Sequence, residues 1–204
     1  MKPYVIAMTG ASGALYGVRL VQVMAEMGFS IELIVSEPAK LVIREELQIP
    51  VRGLSREDSL IEVFGPAVKG RVKSHSPKDF TAAVASGSYP TAGMAVIPCS
   101  MGTLGAIASG VSLNLIHRAA DCVLKEGRKL VLVPRETPLS AIHLENMLKL
   151  ARLGVAIVPA MPGFYSSAAN LHEIVDFMVG KVLDQFGIDH ALYPRWTGPY
   201  ARAK

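Results

Sequence analysis

The sequence is poor in cysteine, and its histidines are scattered. Cys99 and Cys122 are the only two cysteines, and their spacing matches neither a metal-binding nor a redox motif. His117, His143 and His172 lie too far apart in the chain to suggest a zinc site. We therefore expect no bound metal, and we expect each cysteine to be a buried small apolar residue.

Long runs of one charge are also absent. The formal net charge is +4, with 21 Lys and Arg against 17 Asp and Glu, and no basic run is interleaved with aromatic residues. This pattern makes nucleic acid an unexpected partner.

No segment combines the length and the composition of a membrane span. Residues 80–116 contain no Asp, Glu, Lys or Arg, and this segment is long enough to cross a bilayer. However, Ser, Thr, Pro and Gly interrupt it throughout. The apolar residues 4–8 are too few for the core of a signal peptide and lead directly into a glycine-rich turn. We expect a cytoplasmic protein with no membrane contact.

Small aliphatic residues are abundant instead. Half of the chain is hydrophobic, whereas only 6% is aromatic. A parallel sheet buried on both faces accounts for such a composition, and apolar surface hidden between subunits adds to it. We expect a homo-oligomer.

Apolar strand-like segments alternate with segments of helical periodicity. The predicted strands are 4–8, 30–36, 93–98, 128–134 and 154–160, and the predicted helices are 13–27, 38–47, 102–109, 114–126, 139–152 and 170–186. Residues 48–78 are polar and broken by Pro and Gly, with a short helix near 57–64. The pattern predicts a doubly wound parallel sheet. Residues 1–204 form one domain on this interpretation, with an irregular tail from about 188 to 204.

The first predicted strand runs into the glycine-rich turn "MTGASGALYG". Its glycines at Gly10, Gly13 and Gly17 do not have the spacing of the dinucleotide fingerprint, and no Gly-Lys-Ser/Thr of a P-loop follows. The glycines and the start of the next helix would suit a phosphate group. A tight turn with a serine N-cap explains the same residues equally well.

The other strand ends favour ligand binding over simple turns. They read "VSEP", "IPCSMGT", "VPRETP" and "VPAMPGFYSS" and are rich in hydroxyl groups and glycine. Ligands of doubly wound sheets sit at these carboxyl ends. Arg135 could grip a phosphate and Glu136 could act as a general acid or base, although adjacent charges often form a surface ion pair.

Four further residues remain ambiguous from the pattern alone. Arg118 and Lys125 lie seven residues apart on one predicted helical face, a spacing that by itself favours a solvated surface. Tyr165 either reaches into the crevice or caps the sheet. Trp196, the only tryptophan, lies in the tail and should pack against something, such as a neighbouring subunit.

Several long segments strongly resemble the UbiX-type flavin prenyltransferases. They are "MTGASGALYGVRL", "IPCSMGTLGAIASGVSLNLIHRAADCVLKE", "LVLVPRETPLSAIHLENMLKLARLGVAIVPAMPGFY" and "LYPRW". The similarity covers nearly the whole chain and is weakest over residues 48–80. It implies a flavodoxin-like fold with three αβα layers.

The resemblance implies a specific reaction. Such an enzyme binds reduced FMN and dimethylallyl phosphate, transfers the dimethylallyl group to flavin N5 and closes a ring at C6. The product, prenylated FMN, is the cofactor of a partner UbiD-type decarboxylase, and the family is linked to ubiquinone biosynthesis. Members are typically homododecamers that share each active site between subunits and need no metal.

The resemblance also assigns residues. It implies FMN contacts for Gly10, Ala11, Ser12, Ser36, Ser100, Met101, Gly102, Thr103 and Arg135. It places the prenyl-donor phosphate on Tyr165 and Lys181, with Arg118, Lys125 and Ser86 assisting and Trp196 closing the site. Glu46 and Glu136 are the candidate proton-handling carboxylates. Lys181 and Met101 stand where relatives carry Arg and Thr.

Two other functions stay open. One is an FMN-dependent decarboxylase that acts directly on a substrate, for which Asn114 and His117 are candidate residues. The other is a non-enzymatic flavin-binding protein, which would need the FMN residues but not the additional cations.

Overall fold

The computed structural model describes residues 1–51, 53–163, 170–196 and 198. Within that part, six parallel strands form one sheet: β1 (Tyr4–Met8), β2 (Ile31–Val35), β3 (Val72–His75), β4 (Gly93–Cys99), β5 (Lys129–Pro134) and β6 (Ala156–Ile157). The helices are α1 (Ala14–Glu26), α2 (Glu37–Leu47), α3 (Glu57–Phe64), α4 (Met101–Ala108), α5 (Leu115–Lys125), α6 (Ala141–Arg152) and α7 (Leu171–Gln185). Short 3₁₀ turns span Pro66–Val68 and Ala83–Ala85.

The strand order is β3-β2-β1-β4-β5-β6. Without the edge strand β3, it is the flavodoxin order 2-1-3-4-5, and with β3 it is the other common doubly wound order, 3-2-1-4-5-6. The predicted flavodoxin-like αβα fold is therefore confirmed. The chain reverses its direction of winding between β1 and β4, so the crevice at their carboxyl ends is the expected ligand site.

The sheet is covered by helices on both faces. All five residues of β1 are buried, and alternate residues enter different cores. Ile6 packs with side chains of α1, α2, α3 and α7, whereas Val5 and Ala7 pack with α4, α5 and α6. This double burial explains why the composition favours small aliphatic residues.

The strand β3 is not among the strands predicted from the sequence. Its residues Val72–His75 pair with β2 in parallel, yet they include only one aliphatic side chain. An edge strand is only half covered, so it does not need the apolar run by which the central strands were recognised. The short helix expected near 57–64 is confirmed as α3.

The last strand is shorter than the predicted 154–160. Gly154 and Val155 donate backbone hydrogen bonds to the end of α6 instead of the sheet. Beyond β6, the N–H groups of Val158 and Ala160 donate to Leu132 O and Pro134 O of β5, at 2.8 and 2.9 Å. The chain thus stays beside β5 up to residue 160, although the intervening Pro159 has no N–H to donate.

The two cysteines are buried free thiols, as predicted. Burial raises the pKa of Cys99, the last residue of β4, to about 12, which argues against a nucleophilic role. In the described part of the chain, no helix has the length and apolarity to cross a membrane. Nor do the described residues include three grouped His, Cys, Asp or Glu side chains that could hold a metal ion.

Candidate active site at the carboxyl edge of the sheet

The glycine turn between β1 and α1 packs tightly against the start of α2. A Cβ on Gly10 would lie only 2.5 Å from Cβ of Pro38, so this position has no room for a side chain. Gly13 has a φ of 104°, a left-handed conformation that favours glycine, and it is the N-cap of α1. The turn is therefore shaped by its two glycines.

Glu46, from the last turn of α2, caps α1. Its carboxylate accepts hydrogen bonds from the backbone N–H of Gly13 at 3.0 Å and of Ala14 at 2.8 Å. The negative charge thus lies at the positive end of the α1 dipole. A serine N-cap was one interpretation of this turn, and it is wrong, because no side chain of the turn caps the helix. Glu46 does lie at the glycine turn, as its predicted site role requires.

Thr9 joins the turns that follow β1 and β4. Its hydroxyl donates to Pro98 O at 2.9 Å and accepts from the N–H of Ser100 at 2.7 Å. Only 2% of Thr9 is exposed, so its hydroxyl holds the crevice together and is not available to a ligand.

Two serines that follow β2 and β4, the strands on either side of β1, are helix N-caps. Ser36 accepts from the N–H of Ala39 at 3.2 Å, and Ser100 accepts from the N–H of Thr103 at 3.4 Å. Together with α1, the helices α2 and α4 therefore direct their positive ends toward this edge of the sheet. Such helix ends are favourable positions for a phosphate.

The first turn of α4 presents its backbone to open space. A Cβ on Gly102 would meet no atom within 4 Å. The side chain of Met101 is buried in the core beneath α4. Because the side chain of Met101 faces the core, only its backbone is accessible from the crevice. A threonine hydroxyl at this position would also face the core, so its replacement by methionine leaves the crevice unchanged.

Arg135 follows β5 and crosses to the glycine turn. Its Nε donates to Ser12 O at 3.2 Å, and its backbone N–H donates to Cys99 O at 3.4 Å. Tyr16 lies beside it; burial raises the pKa of this phenol, and the charge of Arg135 partly opposes that rise. Tyr16 was missed by the sequence analysis, although its position three residues after Gly13 places it in the first turn of α1.

Glu136 is exposed at the same edge. Its carboxylate accepts from the N–H of Thr137 at 3.1 Å. Among the described ion pairs, none joins Glu136 to Arg135, so the surface ion-pair interpretation is wrong. The carboxylate is available for another partner.

A second group of predicted residues lies along α5. Arg118 donates to Ala85 O at 2.9 Å and to Asp121 at 2.8 Å, and the Nζ of Lys125 would lie 2.6 Å from a Cβ on Gly87. The segment that carries Ser86 therefore packs against Arg118 and Lys125. Since α5 leads directly to the first residue of β5, Lys125 lies toward the amino edge of the sheet.

Lys181 also lies toward the amino edge. Shortly after it, the ring of Phe186 packs against Tyr4, the first residue of β1, with centroids 4.9 Å apart. At about 3.3 Å per residue, β1 separates the two edges by roughly 17 Å. One chain thus brings the FMN candidates together but keeps Lys181 and Lys125 away from them.

Two further predicted residues, Trp196 and Tyr165, lie on either side of α7 in the sequence. Trp196 is 68% exposed and follows the strand-free segment 188–195. Tyr165 lies outside the described residues.

These features define a doubly wound α/β protein with a crevice at its switch point, toward which three helices direct their positive ends. The profile of the family described as Flavoprotein matches residues 1–183. The chain belongs to this family, and its relatives identify it further as a UbiX-type flavin prenyltransferase.

The flavin prenyltransferase UbiX of Halalkalibacterium halodurans is 53% identical over 193 residues, which cover 95% of this chain and 92% of the relative. The crystal structure of a dodecameric FMN-dependent UbiX-like decarboxylase from Escherichia coli O157:H7 is 49% identical, with a TM-score of 0.84 and coverage of 97% and 100%. The structure of AnUbiX (PadA1) in complex with FMN and dimethylallyl pyrophosphate is 39% identical, with a TM-score of 0.85 and coverage of 97% and 98%. The predicted resemblance to the UbiX-type flavin prenyltransferases is thereby confirmed.

Proposed function

We propose that the protein transfers a dimethylallyl group from dimethylallyl phosphate to N5 and then C6 of reduced FMN, forming prenylated FMN. The observation that carries this proposal is the 53% identity, over 95% of the chain, to a flavin prenyltransferase. A second relative binds FMN together with dimethylallyl pyrophosphate, which supports the pairing of a flavin with a prenyl donor.

The carboxyl edge of the sheet holds FMN on this proposal. Gly10, Ala11 and Ser12 offer backbone at the glycine turn, and the residues 100–103 offer the first turn of α4. Ser36 and Arg135 complete the set, with Arg135 supplying the positive charge for a phosphate. When bound and reduced, FMN supplies the nucleophilic nitrogen, and these residues hold it in place.

The cations on α5 and α7 bind the phosphate of the prenyl donor. Breaking the allylic C–O bond leaves a delocalised cation and a phosphate dianion, and Lys or Arg side chains stabilise the leaving phosphate. Arg118, Lys125 and Lys181 supply this charge, while Ser86 donates a hydrogen bond.

Each site is shared between subunits. Lys125 and Lys181 lie near the amino edge of their own sheet, so they serve the carboxyl edge of a neighbouring copy. The UbiX-like relative of Escherichia coli is dodecameric, which supports a dodecamer here as well. Exposed apolar side chains are available for the contacts between copies: Leu113, Ile142, Leu144, Leu148 and Leu153.

The two candidate carboxylates have different roles. Glu46 already accepts two backbone hydrogen bonds and orients the glycine turn. Glu136 accepts only a local one and is exposed at the crevice, so it handles the proton. Tyr165 contacts the donor phosphate and Trp196 covers the neighbouring site.

The proposed reaction also implies a protein that uses the product and a cellular compartment. A UbiD-type decarboxylase takes up the prenylated FMN, and the enzyme itself needs neither a metal nor a nucleic acid. The two unpaired thiols suit the reducing cytoplasm.

Mass spectrometry of the flavin tests the function directly. After incubation with reduced FMN and dimethylallyl phosphate, the flavin should gain the mass of one dimethylallyl group in place of a proton, and oxidised FMN should give no gain. An enzyme that decarboxylates a substrate directly would release CO₂ and leave the flavin mass unchanged. A non-enzymatic flavin carrier would bind FMN, release no CO₂ and leave the flavin mass unchanged.

A further inference from the structure

Asp184, at the end of α7, is the common hydrogen-bond partner of several polar side chains of the tail. Arg195 donates to both of its oxygens, at 2.7 and 2.9 Å, and the hydroxyl of Tyr193 donates at 2.6 Å. His190 Nε2 lies 3.2 Å from the same carboxylate. Burial alone would raise the pKa of Asp184, but hydrogen bonds from Arg195 and Tyr193 outweigh it and hold the pKa well below its usual range. The carboxylate is therefore saturated with donors.

The tail lies directly on the backbone of α7. A Cβ on Gly180 would come within 2.5 Å of the Tyr193 ring and 2.6 Å of the His190 ring. His190 Nε2 also lies 3.0 Å from Gly180 O, and Tyr193 packs on Phe177 with centroids 4.9 Å apart. Residues 190–195 thus form a fitted strap along the helix, and we call them the tail strap.

Lys181 lies one turn before Asp184, with Nζ 3.7 Å from the nearer carboxylate oxygen. That distance is much longer than those from Arg195, so Arg195 is the main counterion of Asp184. His190 accepts from the N–H of Leu192 through Nδ1, and its Nε2 lies 3.0 Å from Gly180 O and 3.2 Å from both Asp184 and Arg195. Lys181 and Arg195 together face the single anion Asp184, so positive charge remains available at Lys181, whose side chain is partly exposed.

We propose that Asp184 is a positioning residue for the prenyl-donor phosphate. It fixes the tail strap through Arg195 and Tyr193, and because Arg195 satisfies its charge, Lys181 stays available to an anion. This inference rests on the proposed function, in which Lys181 binds the donor phosphate. It adds a residue that acts through Lys181 and the strap and does not itself touch the substrate.

The helix offers a matched control in Asp176. This residue forms a comparable ion pair with Arg19, at 2.6 Å, and its side chain is 23% exposed against 20% for Asp184. The Arg19 pair joins α7 to α1 and does not touch the tail. Asp176→Asn therefore removes a similar interaction from the same helix while leaving the strap intact.

The sole tryptophan reports on the strap independently of activity. Trp196 directly follows Arg195, so we expect Asp184→Asn to give a faster local component in its fluorescence anisotropy decay, and Asp176→Asn to match the wild type. Arg195→Gln removes the same contact from the tail side and should reproduce the effect, including where Asp184→Asn folds poorly. An anisotropy decay that matches the wild type in both Asp184→Asn and Arg195→Gln would overturn the proposal.

Kinetics with dimethylallyl phosphate test the role in the site. We expect Asp184→Asn to raise the donor KM by about tenfold, the loss typical of one charge-assisted hydrogen bond, with FMN affinity unchanged and Asp184→Glu intermediate. If charge alone mattered, removing the anion beside Lys181 would lower the KM, and that result would overturn the proposal. A wild-type protein that leaves the flavin unmodified would refute the proposed function, whereas the anisotropy would still decide whether Asp184 holds the strap.

Discussion

The carboxylate of Glu46 lies 2.8 Å from the backbone nitrogen of Ala14, although 32 residues separate them in the sequence. The end of α2 therefore supplies the anion that the first turn of α1 attracts. On the proposed function, a flavin phosphate at this edge has the N–H groups of Gly10 and Ser12 and the serine-capped ends of α2 and α4, because the N–H of Ala11 already donates to Thr9 O at 2.8 Å.

Removing this cap should loosen the glycine turn. Glu46→Ala leaves the N–H groups of Gly13 and Ala14 without their acceptor, and we expect a loss of about 0.5–2 kcal/mol in the free energy of unfolding. FMN affinity should fall with it, because the turn loses its fixed position. Urea unfolding and FMN titration measure the two effects. Glu45→Ala, on the exposed side of the same helix, is the control, and an equal effect there would contradict the assignment.

Two glycines at the crevice should respond differently to alanine. At Gly10 the added Cβ would collide with Pro38, and such overpacking costs about 1–3 kcal/mol of stability. At Gly102 it would meet no protein atom within 4 Å. Because Gly102 lies in a helix, where alanine is the more favourable residue, we expect Gly102→Ala to keep or slightly raise the thermal unfolding temperature while weakening FMN binding. Full FMN affinity in that variant would move the ligand away from the first turn of α4.

Glu136 should be needed for catalysis and not for flavin binding. Glu136→Gln preserves the shape of the side chain but cannot accept a proton, so the rate should fall by roughly 10²–10⁴-fold. Single-turnover assays with reduced FMN would measure the rate, and FMN titration should show little change. Glu145→Gln, an exposed carboxylate on α6, should behave like the wild type. An active Glu136→Gln enzyme would give this residue a structural role.

The central part of the fold was predictable because its signals are local. The run of buried aliphatic residues in β1 and the helical spacing of α1 both follow from neighbouring residues in the sequence. The strand β3 was missed since an edge strand lacks such a run. The crevice was predictable as well, because parallel strands place Ser36, Ser100 and Arg135 at one edge.

The rest depends on contacts between distant parts of the chain. No local pattern shows that Glu46 caps α1 or that Asp184 holds the tail. Helical spacing grouped Arg118 with Lys125 correctly, yet it could not show that α5 carries Lys125 away from the glycine turn. The family resemblance assigned these residues to one site, and a single chain does not assemble that site by itself.

A polar cluster of Glu32, His75 and Tyr89 should make stability depend on pH. Glu32 accepts hydrogen bonds from His75 and, at 2.6 Å, from the hydroxyl of Tyr89. The bond to Glu32 raises the pKa of Tyr89 to about 12, above its ordinary value of 10.0. Because the pKa of Tyr89 is higher in the folded state, its protonated phenol stabilises the fold fully at pH values below the unfolded-state pKa. This contribution is lost as the pH rises through the folded-state pKa.

Tyr89→Phe tests this cluster. At about pH 9 the variant should unfold with a free energy lower by about 1–3 kcal/mol, because Glu32 loses a donor. Between pH 10 and about 12 the wild type should lose this advantage, so the two urea-unfolding curves should converge. A difference that stays constant across this range would show that the phenol of Tyr89 does not titrate with its bond to Glu32.

Lys181 gives the sharpest test of the shared site. Its own chain places it near the amino edge, with Asp184 at 3.7 Å as a weak partner, where it would otherwise be an ordinary surface lysine. Losing a charged contact to the donor phosphate costs about 1.5–3 kcal/mol, so Lys181→Ala should use dimethylallyl phosphate about ten- to a hundredfold less well. FMN binding should be unchanged, Lys181→Arg should be tolerated, and Lys69→Ala should have no effect.

Mixed oligomers then show from which chain this lysine acts. Arg135→Ala protomers lack an FMN contact at the carboxyl edge, and Lys181→Ala protomers lack the donor contact, so each homogeneous oligomer should be weakly active. If a site combines Arg135 of one copy with Lys181 of another, dissociation and reassembly of the two variants together should restore activity at some sites. Prenylated FMN measured by mass spectrometry gives the recovery. A mixture no more active than its two components would place both residues in the same chain's site, which the separation of about 17 Å along β1 argues against.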